Sequence, residues 1–209
     1  MNRYKTVLKE AAAQQVIEKS KFTAHVKPVF SKEEADEFIS RIKAENRNAT
    51  HNVPAIVLGE NFQIQWASDD GEPQGTAGAP IIQMLVKEGI TNVAVVVTRI
   101  FGGIKLGTGG LVRAYTSSAK LGLSAATICQ VKELMILTVK FNYTYLSKVQ
   151  NQSQTGSFEI IDTKYEDAVT LDVAVSPFQV DEVRTLFSNM TAGSQVWLGE
   201  RAELIKIAI

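Results

Sequence analysis

The sequence of 209 residues contains a single cysteine, Cys129, and only two histidines, His25 and His51. One thiol can form neither an intramolecular disulfide nor a multi-thiolate metal site, and such cysteine usage is typical of a reducing compartment. Two histidines cannot build a zinc site from several imidazoles. We therefore expect a cytoplasmic protein without a metal or other cofactor.

The chain also lacks long apolar segments and net charge. No stretch approaches the roughly 18–20 apolar residues that span a bilayer, and the start of the chain has no signal-peptide core, so we expect no membrane partner. Lys+Arg and Asp+Glu number 22 each, which gives a formal net charge of +0. This balance excludes a uniformly basic nucleic-acid-binding protein, but it leaves room for a local basic surface.

The charges are distributed unevenly along the chain. Residues 1–130 hold 15 Lys+Arg and 12 Asp+Glu, whereas residues 131–209 hold 7 and 10. No acidic residue occurs between Glu88 and Glu133, although five basic residues do. Such a run indicates either a surface that accepts anions or a buried core from which acids are absent.

Hydrophobic periodicity predicts two mixed α and β domains, residues 1–130 and 131–209. In the second, alternation of apolar residues predicts strands at 134–141, 158–165, 168–175 and 196–207. Helical spacing predicts helices at 143–152 and from Pro177. The resulting order, βαββαβ, is the ferredoxin-like arrangement, a fold that does not specify a function.

In the first domain, apolar patterns predict strands at 17–29, 53–58, 62–67 and 93–98. Ser31 and Glu34 form the capping-box pattern of a helix start, and further helices are expected at 81–87 and after the segment FGGIKLGTGG. Residues 93–98 are nearly all β-branched, which predicts a strand buried on both faces.

The segment FGGIKLGTGG concentrates five glycines between a buried strand and a helix: Gly102, Gly103, Gly107, Gly109 and Gly110. Backbone N–H groups at such a position favour an anion, and a phosphate is the natural ligand. Basic residues on the same element support this interpretation: Arg99, Lys105, Arg113 and Lys120. The spacing fits no nucleotide-binding fingerprint, and the alternative is that the glycines only permit tight packing of the helix on the strand.

The segment SDDGEPQGTAGAP, residues 68–80, places Asp69, Asp70 and Glu72 within four residues. Clustered carboxylates can bind Mg²⁺ or share a proton, but Asp and Gly are equally common in solvated turns. Spacing alone favours a solvated turn, and we assign no metal to it. His51 precedes a strand and is a candidate general base only through its neighbours.

Three ordered segments resemble the IMPACT family, also called uncharacterised protein family 0029, in its bacterial two-domain form: THN, ASDDGEPQGTAGAPI and NVAVVVTRIFGGIKLGTGGLVRAY. The resemblance covers nearly all of residues 15–125. It implies an N-terminal α/β sandwich with the fold of domain 2 of a small-subunit ribosomal protein, shared with domain IV of elongation factor G. It also implies a C-terminal ferredoxin-like domain similar to domain V of that factor.

The resemblance identifies the glycine-rich motif, His51 and an acidic loop as retained family positions. The loop positions are Asp69, Asp70, Gly71, Glu72, Pro73, Gly75, Thr76 and Gly78. Val53 stands where the family commonly has cysteine, so a thiol mechanism is unavailable there. Ile100 replaces one of two aromatic residues after Arg99, which weakens any base stacking that uses this position.

Three functional hypotheses follow from the residues and the resemblance. The first is a translation-associated protein whose basic glycine-rich surface binds RNA or the ribosome, with a possible protein partner for the second domain. The second is an enzyme acting on a small phosphorylated or anionic ligand, with Asp69, Asp70, Glu72 and His51 as acid, base or Mg²⁺ ligands. The third is a protein-binding regulator in which both motifs are structural. One concave pocket uniting the motifs would favour an enzyme, and a flat basic surface would favour RNA.

Overall fold

The computed structural model describes residues 2–209 and divides them into two compact units. The N-terminal unit comprises Arg3–Val131 with Lys206–Ile209, and the C-terminal unit comprises Lys132–Ile205 with Asn2. The protein is α+β, with two antiparallel sheets of five strands each. Among residues 2–209, no helix is both long and apolar enough to cross a membrane.

The strands are β1 (Asn2–Val7), β2 (Ala11–Ile17), β3 (Ser20–Pro28), β4 (His51–Leu58), β5 (Ile64–Ala67), β6 (Val93–Ile100), β7 (Ile128–Phe141), β8 (Glu159–Tyr165), β9 (Val169–Val175) and β10 (Val196–Ala208). The helices are α1 (Lys32–Glu45), α2 (Gly78–Glu88), α3 (Gly107–Ala125), α4 (Leu146–Ser153) and α5 (Val180–Thr191). Short 3₁₀ turns precede α4 and α5.

The sheet of the N-terminal unit has the order β2-β3-β6-β4-β5. Its central strand, β6, is buried on both faces from Val93 to Arg99, in agreement with the β-branched run of the sequence. Residues such as Val95 and Val97 pack against α2 and α3, whereas Ala94 and Val96 pack against α1 on the opposite face. The sheet is therefore a middle layer covered by helices on both sides.

The capping box predicted at Ser31 is present with one change. The Ser31 hydroxyl accepts the N–H of Glu34 at 3.2 Å and begins α1. The Glu34 carboxylate accepts the N–H of Phe30 at 2.8 Å, one residue before the usual partner. The buried side of α1 consists of Ala35, Phe38, Ile39 and Ile42.

Several predicted boundaries in this unit differ from the structure, and two of the differences have a clear physical reason. The expected strand 17–29 is β3 preceded by a turn and the last residue of β2, because Glu18 and Lys19 both adopt the left-handed conformation of a two-residue turn, with φ of 46° and 63°. The glycine-rich segment is only partly a loop, since α3 already begins at Gly107. Helix α3 lies close to β3, where a Cβ on Gly122 would stand 2.8 Å from Val26 Cγ2.

The C-terminal unit follows the predicted element order, from β7 through α4, β8, β9 and α5 to β10. In its sheet β7, β9 and β8 are adjacent in that order, and β10 is also hydrogen-bonded to β7. Helices and sheet enclose a separate hydrophobic core in which Phe187 contacts the rings of Phe141, Phe158 and Trp197. The unit thus has the packing expected of an independent domain.

Candidate functional site

The site begins at the end of β6, where Arg99 is paired across the sheet with Phe22 of β3 and His51 of β4. Side chains alternate between the two faces of a strand, so Arg99 lies on the same face as Val97, under α3. His51 lies on the same face, because side chains two residues apart on a strand share a face and Val53 belongs to this core. The sheet register therefore places a cation beside an imidazole.

Glu72 of the acidic loop meets these residues inside the protein. Its Oε1 accepts a hydrogen bond from Arg99 Nη1 at 2.6 Å and another from the Tyr115 hydroxyl at 2.8 Å. His51 Nε2 lies 3.7 Å from the same oxygen. The side chains of Glu72 and Arg99 are 4% and 6% exposed, so the loop is not the solvated turn that its spacing favours.

Tyr115 supplies the third partner of this carboxylate from α3. Burial raises the pKa of its phenol far above the usual range, and the hydrogen bond to Glu72 and the charge of Glu72 raise it further. Tyr115 therefore remains a neutral hydrogen-bond donor. No pattern in the sequence indicates that the Tyr115 hydroxyl reaches Glu72.

The turn that directs Glu72 inwards consists of Asp70 and Gly71, both left-handed with φ of 49° and 90°. The N–H of Glu72 closes it on the carbonyl of Asp69 at 3.0 Å. Within this turn the carbonyl of Asp70 lies 2.8 Å from His51 Nδ1. Because a carbonyl only accepts, His51 carries a proton on Nδ1 and its Nε2 is the nitrogen nearest Glu72.

Both oxygens of the Asp69 carboxylate accept hydrogen bonds from backbone N–H groups. It accepts the N–H groups of Gly75, Ala77 and Gly78 at 2.8, 3.1 and 2.9 Å, and so caps the start of α2. Burial alone would raise the pKa of this carboxyl, but the three N–H groups outweigh burial and lower it. Asp69 therefore stabilises the loop rather than presenting a carboxylate to a ligand.

Asp70 is engaged in a similar way. It accepts the N–H of Asn52 at 2.6 Å, and Lys43 from α1 donates to its other oxygen at 2.6 Å. Burial raises its pKa, whereas these two donors and the charges of Lys43 and His51 lower it by more. The two aspartates thus fix the loop onto β4 and α2, and only Glu72 of the three acids reaches the interior site.

The Arg99 guanidinium is held by aromatic rings as well as by Glu72. Its carbon lies 5.3 Å from the centre of the Phe22 ring and 5.4 Å from that of Phe101. Arg99 Nη2 also approaches the Ser20 hydroxyl at 3.4 Å. Arg99 Nε is buried and has no hydrogen-bond partner within residues 2–209.

The glycine-rich segment contributes a turn and the start of α3. A Cβ on Gly102 would lie 2.0 Å from the backbone carbonyl of Lys19, so this glycine permits close contact with the β2–β3 turn. The residue before the helix, Leu106, makes no side-chain cap, and the first turn of α3 has no acidic residue. The first N–H groups of α3 therefore lack the side-chain acceptors that usually cap them.

These elements enclose an open cavity of about 460 Å³. Its polar lining consists of Thr50, His51, Glu72, Arg99, Lys105 and Thr108, and the remaining lining residues are Pro73, Phe101, Leu106, Gly107 and Leu111. A second open depression of about 580 Å³ contains Lys105 and Leu106 as well, together with Gly110 and Arg113. Lys105 and Leu106 thus belong to both depressions.

The structure unites part of each predicted motif. His51, Glu72 and Pro73 meet Arg99, Lys105 and Gly107 around the cavity, whereas Asp69, Asp70, Gly71, Gly75, Thr76 and Gly78 form the supporting loop. Lys120 is not at this site: it forms an exposed ion pair with Glu88 at 2.8 Å. Gly102, Gly103 and Gly109 do not line the cavity. Within residues 2–209 no group of three or more His, Cys, Asp or Glu side chains is placed to hold a metal ion.

Comparison with known proteins places the chain in a family. The Impact N-terminal domain matches residues 18–123, which contain both motifs. The chain is also 39% identical over 207 residues to the IMPACT family member YvyE of Bacillus subtilis, covering 99% of this chain and 95% of the relative. The chain belongs to the IMPACT family.

Further matches extend this family assignment along the chain. A domain of unknown function, DUF1949, matches residues 139–194 in the C-terminal unit. The IMPACT family member YigZ of Escherichia coli is 33% identical over 180 residues, covering 85% of this chain and 88% of the relative. A crystal structure of a hypothetical protein is similar over 100% of this chain and 98% of its own, with 30% identity and a TM-score of 0.59.

Proposed function

We propose that this IMPACT family protein is a cytoplasmic, translation-associated protein that binds RNA through the N-terminal unit. The observation that carries the proposal is a basic surface around the start of α3, formed by the exposed side chains of Lys19, Lys105 and Arg113. In the described chain no acidic side chain forms an ion pair with any of the three. These cations are therefore available to phosphates.

The positions of the three residues follow from the fold. Lys105 and Arg113 line the same depression, with Glu18 as its one acidic lining residue. Lys19 lies in the β2–β3 turn, against Gly102. Phe101, which is 43% exposed, lines the cavity together with Lys105. Cations together with an exposed aromatic ring are the combination that binds single-stranded nucleic acid.

The folds that the family resemblance implies form part of the proposal. In the C-terminal unit the order β10-β7-β9-β8 supports a ferredoxin-like domain similar to domain V of elongation factor G. In the N-terminal unit a sheet covered by helices on both faces supports the α/β sandwich of the ribosomal-protein domain. A shared fold does not itself establish a function, so the basic surface carries the RNA-binding proposal.

The test is RNA affinity as a function of salt for the wild type and for the Lys105→Ala/Arg113→Ala double variant. Each phosphate contact that is lost should reduce the salt slope by about one, and affinity at low salt should fall at least about tenfold. Arg99 is left unchanged because it is buried with Glu72. The matched control is Lys32→Ala/Lys87→Ala, which removes the same charge elsewhere in the unit. Equal affinities for the two double variants would refute the proposal.

A second candidate is the enzyme acting on a small phosphorylated ligand, favoured by the convergence of His51, Glu72 and Lys105 on one cavity. Asp69 and Asp70 have no part in it, because their carboxylates are bonded within the loop. A thermal-shift screen of phosphometabolites with and without Mg²⁺ tests this candidate. A shift that disappears in Lys105→Ala supports it, and no shift with any compound contradicts it.

A further inference from the structure

The cavity between the acidic loop and α3 has an apolar part to its lining, which a phosphate alone would not use. Phe101, Leu106, Leu111 and Pro73 offer hydrocarbon surface to a flat ring. Two contacts fix Phe101. Its backbone N–H donates to the Thr50 hydroxyl at 3.0 Å, and its ring centre lies 5.4 Å from the guanidinium carbon of Arg99. An aromatic ring fixed in this way is a stacking surface for a base.

The same cavity has donors for an anion. Lys105 contributes an ammonium group to its wall, and Thr108 contributes a hydroxyl. The uncapped N–H groups at the start of α3, from Gly107, lie at the same wall. Arg99 also lines the cavity, and its guanidinium is held in place by Glu72 and by the rings of Phe22 and Phe101.

Polar groups in the lining suit the edge of a base. His51 Nε2 and Glu72 lie side by side, and the Thr50 hydroxyl is close to Phe101. Bases present both donors and acceptors on their edges, so a mixed set of imidazole, carboxylate and hydroxyl can pair with one. The cavity volume of about 460 Å³ is within the usual range for small-ligand sites.

The neighbouring depression shows where the rest of a polynucleotide would continue. Lys105 and Leu106 line both depressions, and Arg113 lines the second. A strand can therefore place one nucleotide in the cavity and the following phosphates along Lys105 and Arg113. A free nucleotide would use only the first of these two contact areas.

We propose that this cavity binds one unstacked base of a single-stranded RNA, with the adjacent phosphate at the N-terminus of α3. The inference rests on the proposed RNA-binding function and names the part of the RNA that the site recognises. Phe101 stacks on the base, Lys105 and Thr108 bind the phosphate, and Arg113 binds the next phosphate along the strand.

The experiment compares an RNA oligonucleotide with an abasic strand of the same length, which carries the same charge without bases. We expect the wild type to prefer the RNA about tenfold, the effect of one base–aromatic stack. Thr108→Trp fills the cavity from an exposed position without changing charge, and Phe101→Ala removes the ring. Both variants should lose the preference, whereas Thr108→Ser should keep it.

The outcomes separate this inference from the proposed function. If the wild type binds both strands equally, or if Thr108→Trp keeps the preference while remaining folded by circular dichroism, the base site is refuted and RNA binding by the basic surface stands. If neither strand binds at low salt, both proposals fail. If Lys105→Ala/Arg113→Ala weakens both strands by the same factor and Phe101→Ala weakens only the RNA, both are supported.

Discussion

Arg99 Nη1 and Glu72 Oε1 form a buried ion pair 2.6 Å long between residues 27 positions apart in the sequence. Arg99 lies near the end of a central strand, and Glu72 belongs to the acidic loop. The acidic motif and the glycine-rich motif, which the sequence presents as two candidate sites, therefore share one structural connection.

Replacing Glu72 by Gln should destabilise the N-terminal unit by about 3–5 kcal/mol, because it leaves the Arg99 charge buried without a counter-charge. Urea unfolding followed by circular dichroism measures this effect. As a control, Lys120→Ala breaks the exposed pair with Glu88 and should cost less than about 1 kcal/mol. Similar losses in the two variants would show that the Arg99–Glu72 pair is not buried as described.

Alanine substitutions at two glycines of the glycine-rich segment should have opposite effects on the stability of the N-terminal unit. Gly102→Ala places a Cβ 2.0 Å from the Lys19 backbone, so the segment must move, at a cost of about 1–3 kcal/mol or more. Gly109 lies in α3, and its Cβ would approach only Arg113 Nη1 at 3.7 Å. Gly109→Ala should therefore stabilise the unit by about 0.5–1 kcal/mol. Thermal unfolding of both variants measures the difference, and equal effects would contradict it.

The stability of the N-terminal unit should fall in acid because of Asp69 and Asp70. The pKa values of both carboxyls lie below the ordinary 3.8 in the folded protein, so the unfolded chain binds more protons at low pH. Their contribution is complete above the unfolded-state pKa and is lost as the pH falls through the lower, folded-state pKa. Urea unfolding at several pH values should show Asp70→Asn approaching the wild type below about pH 4. A constant difference would contradict this.

One of the five tyrosines, Tyr115, should ionise only when the unit unfolds. Its burial and its hydrogen bond to Glu72 both oppose the phenolate, so its pKa is raised. Alkaline titration followed by near-ultraviolet absorbance should show a late step that coincides with loss of circular dichroism. Tyr115→Phe should remove that late step, and an early reversible ionisation of Tyr115 would contradict the prediction.

Periodicity predicted the parts of the fold in which burial alternates regularly. The βαββαβ order and the doubly buried β6 both agree with the structure. Strand β2 was not predicted except for its last residue, Ile17, because AAAQQVI has little contrast between its faces. The start of α3 was placed too late, since glycines disfavour a helix unless tertiary packing holds them there.

The sequence predicted which residues belong to the site, but it did not predict how they are arranged in space. Both motifs and His51 were identified, yet the distances that distinguish Glu72 from Asp69 and Asp70 arise from the turn at Asp70 and Gly71. Likewise, the partner of Lys120 lies 32 residues away on α2. Ion pairs between distant segments leave no spacing pattern in one sequence, so these assignments required the structure.

The bonds of the acidic loop also affect how the protein opens. Asp69 accepts three backbone N–H groups, one of them at the start of α2. Asp70 is hydrogen-bonded to β4 and α1, and Glu72 is hydrogen-bonded to β6 and α3. Opening this loop alone would therefore break contacts with five other elements, so its amide hydrogens should exchange with solvent only together with those of the core sheet. The acidic loop is therefore already ordered before a molecule enters the cavity, so binding requires little further loss of conformational entropy from this loop.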